Sequence, residues 1–204
     1  MTVENLWETT RLEAWHAALA AYPTVIARQG VRRLADLDRW YHHDLSTALK
    51  GRQPPALTLE ELVHATEWKM ARGVWRQRNL ILVRSNDPDR VEQVSREAFA
   101  GIPDPISPVR LLAKLAGVGP ATASAILAAL APQVYPFFDE IVADQIPNLG
   151  KVDFTIPFYA RYAQVLRHRA EQLGDGWNPT LVEHALWVNV GGKDGLSPTP
   201  ATNT

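Results

Sequence analysis

Asp139 is the side chain whose type and position best suit chemistry, because a carboxylate can stabilise positive charge developing on a sugar and orient an attacking water. It stands 22 residues after Gly117 (139 − 117), the first glycine of a Gly117-Val118-Gly119 hairpin between two helix-forming runs. Gly117 and Gly119 can both take positive φ and turn backbone N–H groups outward at a helix start, where the helix dipole favours an anion. Val118, Ala121 and Thr122 complete this expected grip on a DNA phosphate. Upstream, Lys69, Arg72, Arg76, Arg78 and Arg84 follow one another with no acidic residue between Trp68 and Arg84. Such a run suits a phosphate backbone, and Trp75, set between Gly73 and Arg76, offers a ring to stack on an unpaired base or wedge into a duplex.

Each feature also has a plainer structural use. The glycines suit a tight helix–helix turn, Asp139 suits the N-cap of a helix from Glu140, and the basic run suits a solvated helix face. Glu140 and Asp144 read as solvated or ion-paired side chains, Trp68 and the remaining tryptophans as packing. A dinucleotide-binding loop is a poor fit to Gly117, Gly119 and Thr122, since the last position is not glycine and a helix precedes the motif.

The elements that must position these residues are helical. Ser107-Pro108 reads as an N-cap with proline in the first turn, followed by an apolar stripe through Val109, Leu111, Leu112 and Leu115, with Gly117 as the C-cap. Pro120 opens the next helix, and its run from Ala121 to Ala131 is dominated by alanine, leucine and isoleucine, side chains that let helices approach closely. Thr58-Leu59-Glu60-Glu61 is a capping box, and Asp87-Pro88 and Asn178-Pro179 repeat a capping residue before a first-turn proline. Gly51, Gly73, Gly101 and Gly174 fall where helices should stop. No alternating β run and no internal repeat is present, so the fold should be all-α with about nine or ten helices. Proline-containing breaks at 53–55 and 101–105 read as loops.

On the hairpin residues Leu115-Ala116-Gly117-Val118-Gly119 and the register of Asp139 behind the extended segment Pro132 to Phe138, the chain resembles the helix-hairpin-helix superfamily of endonuclease III and 8-oxoguanine DNA glycosylase. The resemblance covers roughly residues 107–143. It implies two closely packed helical subdomains with a cleft between them, base excision repair on duplex DNA, and Asp139 as the catalytic carboxylate of a monofunctional DNA glycosylase. It also implies a monovalent cation held by the backbone carbonyls of Ala113, Leu115 and Val118. The position that carries the Schiff-base lysine in bifunctional members is Ala121, so no lyase step can use that amine. Asp139-Glu140-Ile141 replaces the Asp-Thr-His usual in the family. The alternatives are a DNA-binding protein that keeps the fold without the chemistry, or an interaction module whose hairpin is only structural.

The chain of 204 residues is long enough for one compact domain, expected over 1–190 with the hairpin at about 107–131, followed by a flexible tail over 191–204 that is too polar and glycine-broken to order itself. A net charge of −1 is low for a DNA binder, so affinity must come from uneven distribution, with a second basic face expected between Arg161 and Arg169 around Arg167 and His168. The absence of cysteine excludes disulfides and a cysteine-ligated iron–sulfur cluster, and the six histidines show no metal spacing. No required cofactor is expected. No stretch is apolar for the roughly 20 residues a membrane span needs, and the acidic N-terminus lacks a signal-peptide pattern. A monomer in the cytoplasm, or in the nucleus of a eukaryote, is the expected setting.

Overall fold

The structure is a computed structural model and describes residues 5–196. Among them every regular element is helical, in twelve α-helical segments: α1 (Leu12–Ala20), α2 (Tyr22–Arg28), α3 (Leu34–Arg39), α4 (Ser46–Gly51), α5 (Leu59–Arg72), α6 (Gln77–Arg84), α7 (Pro88–Ala100), α8 (Ser107–Leu112), α9 (Pro120–Leu130), α10 (Glu140–Ala143), α11 (Ile156–Leu173) and α12 (Pro179–Asn189). A π-helical stretch, Trp40–Leu45, joins α3 to α4 without leaving helical backbone, so these two read as one rod. The fold is all-α, in line with the capping signals and helical periodicity of the sequence.

Capping chemistry explains several helix starts. Thr58 Oγ1 accepts from Glu61 N at 3.2 Å while Glu61 Oε2 accepts from Thr58 N at 2.9 Å, the reciprocal pair of a capping box. Asp87, Thr155 and Asn178 each accept from a first-turn N–H, and a proline follows within the first two positions. Ser107 departs from expectation: it is the first residue of α8, and the cap is Asp104, whose Oδ1 accepts from Ile106 N at 2.9 Å and Ser107 N at 2.7 Å. A carboxylate reaching over from the preceding turn satisfies two orphan donors, more than a serine hydroxyl could.

The helix after the hairpin is the axis of the molecule. Every residue of α9 from Ala121 to Ala129 is buried, and α4, α5, α8 and the π stretch pack around it. A helix apolar on all sides belongs in a core, and its alanines allow the neighbours their close approach. Tyr41 from the π stretch stacks on Trp68 of α5 with ring centroids 3.5 Å apart and donates its hydroxyl hydrogen to the Ala125 carbonyl. On the other side α12 is packed by α1, α2, α10 and α11, which brings the two ends of the chain together.

The tail expectation is corrected in part. Residues 191–196 are docked: Gly192–Asp194 forms a 3-10 turn, Asp194 Oδ2 accepts from Gly30 N at 2.7 Å, and Gln29 bonds both Gly191 O and Asp194 N. Gly191 and Gly192 are buried, and the three positive-φ glycines of this turn allow the backbone to fold tightly enough for those bonds. The rest of the expected tail lies outside the described residues.

Candidate functional site

Asp139 is placed by a loop whose buried backbone is satisfied by side chains from three helices. Phe138 N donates to Ser124 Oγ of α9 at 2.9 Å, and that hydroxyl donates to Ala121 O. Thr180 donates to the Pro132 and Tyr135 carbonyls, Tyr159 to Pro136 O, Tyr162 to Phe137 O at 2.8 Å, and Arg167 to Val134 O at 3.0 Å. An irregular segment can be buried only when its polar groups are paired in this way. The loop therefore delivers Asp139 to one place, beside the start of α9.

Asp139 serves as the N-cap of α10. Its Oδ1 accepts from Ile141 N at 2.9 Å and caps α10, while no hydrogen bond among the described residues reaches Oδ2, which lies 3.3 Å from Arg72 Nη2. Burial raises the Asp139 carboxyl above its ordinary range, against the pull of the Arg72 guanidinium and the N–H groups of Ile141 and Val142. The residue is 5% exposed and lines a cavity of about 390 Å³.

That cavity gathers several of the expected residues. Lys69 from the end of α5, Arg76 at the start of α6, and Gly119, Ala121 and Thr122 at the start of α9 line it together with Asp139. Ala121 and Thr122 are buried in its wall, whereas Gly119 is exposed. The N-terminus of α9 has no side-chain cap, and since Pro120 carries no N–H, the N–H groups of Ala121 and Thr122 are the ones an anion at this cavity wall could meet.

The two hairpin glycines differ, which corrects the expectation of positive φ at both. Gly117 has φ +74°, and a Cβ there would stand 2.7 Å from Asn79 O and 2.9 Å from Val83 Cγ2, so the hairpin is pressed onto α6. Gly119 has φ −99° and ψ −177°, extended backbone open to any residue, and a Cβ there would meet nothing within 4 Å. Val118 is buried beneath the turn, and Asn86 clamps the hairpin by bonding both Ala116 N and Ala116 O at 2.9 Å.

Arg72 is the main correction among the expected DNA contacts. It is wholly buried, with Nη2 2.7 Å from Glu183 Oε1 and its guanidinium 4.5 Å from the Trp187 ring centroid. A guanidinium so enclosed cannot touch a DNA backbone; it acts as the counter-charge of Asp139 and Glu183. Arg84 is exposed but paired with Glu67 at 2.9 Å, which leaves Arg76 and Arg78 as the exposed arginines of the run with no ion pair among the described residues. Trp75 is 51% exposed beside Val74 at 58%, with its Nε1 donating to Gln77. The second basic face is not formed as expected: Arg167 is spent on Val134 O and Arg169 on Trp7 O, stacked over the Trp7 ring at 4.4 Å.

Sequence reading missed the rest of the electrostatic core. Burial pushes Glu183 up to about 8, with Arg72 opposing. Asp38 is held down to about 2, because hydrogen bonding and charge from His42, the Trp68 N–H and Arg72 together outweigh its burial. A glutamate in the apolar run Leu181 to Val188 was the available signal. Phe154 and Lys193, which also line the cavity, carried none.

No group of three His, Cys, Asp or Glu side chains among the described residues could hold a metal ion. At the carbonyls of Ala113, Leu115 and Val118, only Leu115 O accepts a backbone bond among those between described residues, from Val118 N. Oxygen ligands of that kind suit a hard monovalent cation. No helix of the described residues is long and apolar enough to cross a membrane.

No protein-family model, curated protein or solved structure gives a significant match to this chain. The functional reading therefore rests on the site.

Proposed function

We propose that the protein is a DNA glycosylase of helix-hairpin-helix type that hydrolyses the N-glycosidic bond of a damaged base flipped out of duplex DNA. The observation that carries this is Asp139 in the wall of a cavity shared with the uncapped N-terminus of α9 and the open face of Gly119. A phosphate seated on the α9 N–H groups would place the adjoining nucleotide against Asp139. The ionised carboxylate then stabilises the oxocarbenium-like sugar and orients water, while Arg72 opposes the desolvation that would protonate it.

In this reading α3 to α9 form one lobe, α1, α2 and α10 to α12 the other, and the cavity lies at their seam. Phe154 is exposed and would supply a flat apolar face for a base, backed by the buried Phe138 ring 5.1 Å away. Val74 and Trp75 project beside the cavity between basic residues and would wedge into the duplex where the base has left. The hairpin carbonyls of Ala113, Leu115 and Val118 would hold a monovalent cation under the phosphate.

Asp139→Asn tests the proposal because it keeps the size of the side chain and its capping oxygen while removing the charge. In an excision screen over alkylated, oxidised and deaminated bases, the variant should bind DNA but cleave at least about 100-fold more slowly than the parent. Full excision by the variant would overturn the assignment. A second reading, a DNA-binding protein without chemistry, is favoured by the structural employment of Asp139 as cap and ion-pair partner, and absence of excision on every lesion would select it.

A further inference from the structure

The two lobes bring charge of opposite sign to the cavity. Lys69 and Arg76 line it from α5 and the start of α6, whereas the second lobe brings the carboxylates of Asp139 and Glu140. One cation joins the lining from that lobe, Lys193, on the 3-10 turn that follows α12. A nucleic-acid strand across the cavity would meet cations on one side and two carboxylates on the other, and like charges brought together cost binding unless a cation offsets them.

The turn that carries Lys193 is bonded on both sides of it. Gln29, just after α2, donates from Nε2 to Gly191 O at 3.1 Å and accepts at Oε1 from Asp194 N at 3.0 Å. Asp194 Oδ2 accepts from Gly30 N at 2.7 Å, and Leu196 N closes the turn onto Gly191 O at 2.8 Å. Gly191, Gly192 and Gly195 have positive φ, and a Cβ at Gly192 would stand 2.6 Å from the Trp187 ring, so the turn fits against α12 only without side chains there. Lys193 itself is exposed, and no ion pair or hydrogen bond holds its amine among the described residues. A backbone fixed this closely around a side chain left open is how a fold presents a binding group.

We propose that the C-terminal turn belongs to the nucleic-acid site, and that Lys193 binds a backbone phosphate at the second lobe while the start of α9 holds one at the first. The strand is then gripped on both sides of the nucleotide that enters the cavity. The proposal rests on the DNA reading above. Asp194 is a positioning residue: its own charge repels phosphate, so what it contributes is the anchor on Gly30 N.

The test measures binding of the full chain, by fluorescence anisotropy, to an unmodified duplex and to one carrying a tetrahydrofuran abasic analogue, between about 50 and 200 mM salt. On the abasic duplex Lys193→Gln should weaken binding roughly 3- to 10-fold at about 100 mM salt and flatten the salt slope by about one unit. The loss should be smaller on the unmodified duplex, whose strand is not drawn to both lobes. Asp194→Ala removes a negative charge, which by attraction alone would tighten binding, whereas loss of the anchor weakens it. Added to Lys193→Gln, it should cost nothing further, since it acts through the same lysine. Thermal melting checks that both variants fold, and the exposed Lys193→Gln decides the matter even if Asp194→Ala loosens the turn. Parent-like affinity and slope in Lys193→Gln, equal losses on the two duplexes, or unchanged or tighter binding by a folded Asp194→Ala would overturn this inference and leave the DNA reading standing. Failure of the parent to bind either duplex would overturn both.

Discussion

Arg72, Asp139 and Glu183 set a charge problem at the centre of the protein, one guanidinium between two carboxylates with no water-exposed surface on Arg72 or Glu183. Taking ions out of water is costly unless each is paired, and here a carboxylate is left short of partners. Glu183 has its folded value pushed above its ordinary 4.5 to about 8 by burial. The stability it contributes is therefore complete below about pH 4.5 and is lost as pH rises through about 8. His184 works in the opposite sense: burial first, then the charges of His42 and Arg72, depress its pKa, so its contribution is present above 6.5 and lost on acidification. Between pH 6.5 and 8 the Glu183 effect dominates. Unfolding free energy from urea melts should fall across that interval in the parent, by at most about 1.4 kcal/mol per pH unit for one proton, and Glu183→Gln should flatten the fall. Parallel curves for the two proteins would show that Glu183 keeps its charge throughout.

At the scale of elements, the hairpin divides its labour between two glycines. Gly117 holds α9 and α6 together and has both positive φ and no room for a methyl group, so Gly117→Ala should cost about 1–3 kcal/mol of stability in a thermal or urea melt. Gly119 sits at the N-cap of α9 with ordinary extended backbone and open space before it. Gly119→Ser should leave stability within a few tenths of a kcal/mol or raise it, since serine is a good N-cap, while its hydroxyl occupies the N–H groups that the proposed function assigns to phosphate. Lower DNA affinity with an unchanged melt is the expected signature. Parent-like affinity would remove the start of α9 from the DNA interface.

For the whole molecule, a net charge of −1 means that any DNA affinity depends on where charge stands. Of the five cations between Trp68 and Arg84, Arg72 is interior, Arg84 is paired with Glu67, and Lys69 lines the cavity, so in the proposed reading the exposed Arg76 and Arg78 are the ones to meet a phosphate backbone. Replacing both with glutamine should weaken binding on every sequence and flatten the salt dependence by about one unit of slope for each phosphate left unneutralised. Affinity indifferent to salt between about 50 and 200 mM would rule out this surface.

Local chemistry determined what the sequence could show by itself. Helix starts at Thr58, Asp87 and Asn178 were legible because a cap and its partner lie within one turn, and the all-buried character of α9 was legible because its composition is apolar on every side. The 22-residue spacing put Asp139 near the hairpin, and the loop does bring it to the wall of the same cavity as Gly119. What only tertiary structure decided was the fate of charge. Lys69 and Arg72 look alike in a basic run, yet one faces a cavity and the other is sealed between Asp139 and Glu183, residues 67 and 111 positions further along (139 − 72 and 183 − 72). The cost of a buried ion is settled by partners distant in the chain, and no local pattern announces them.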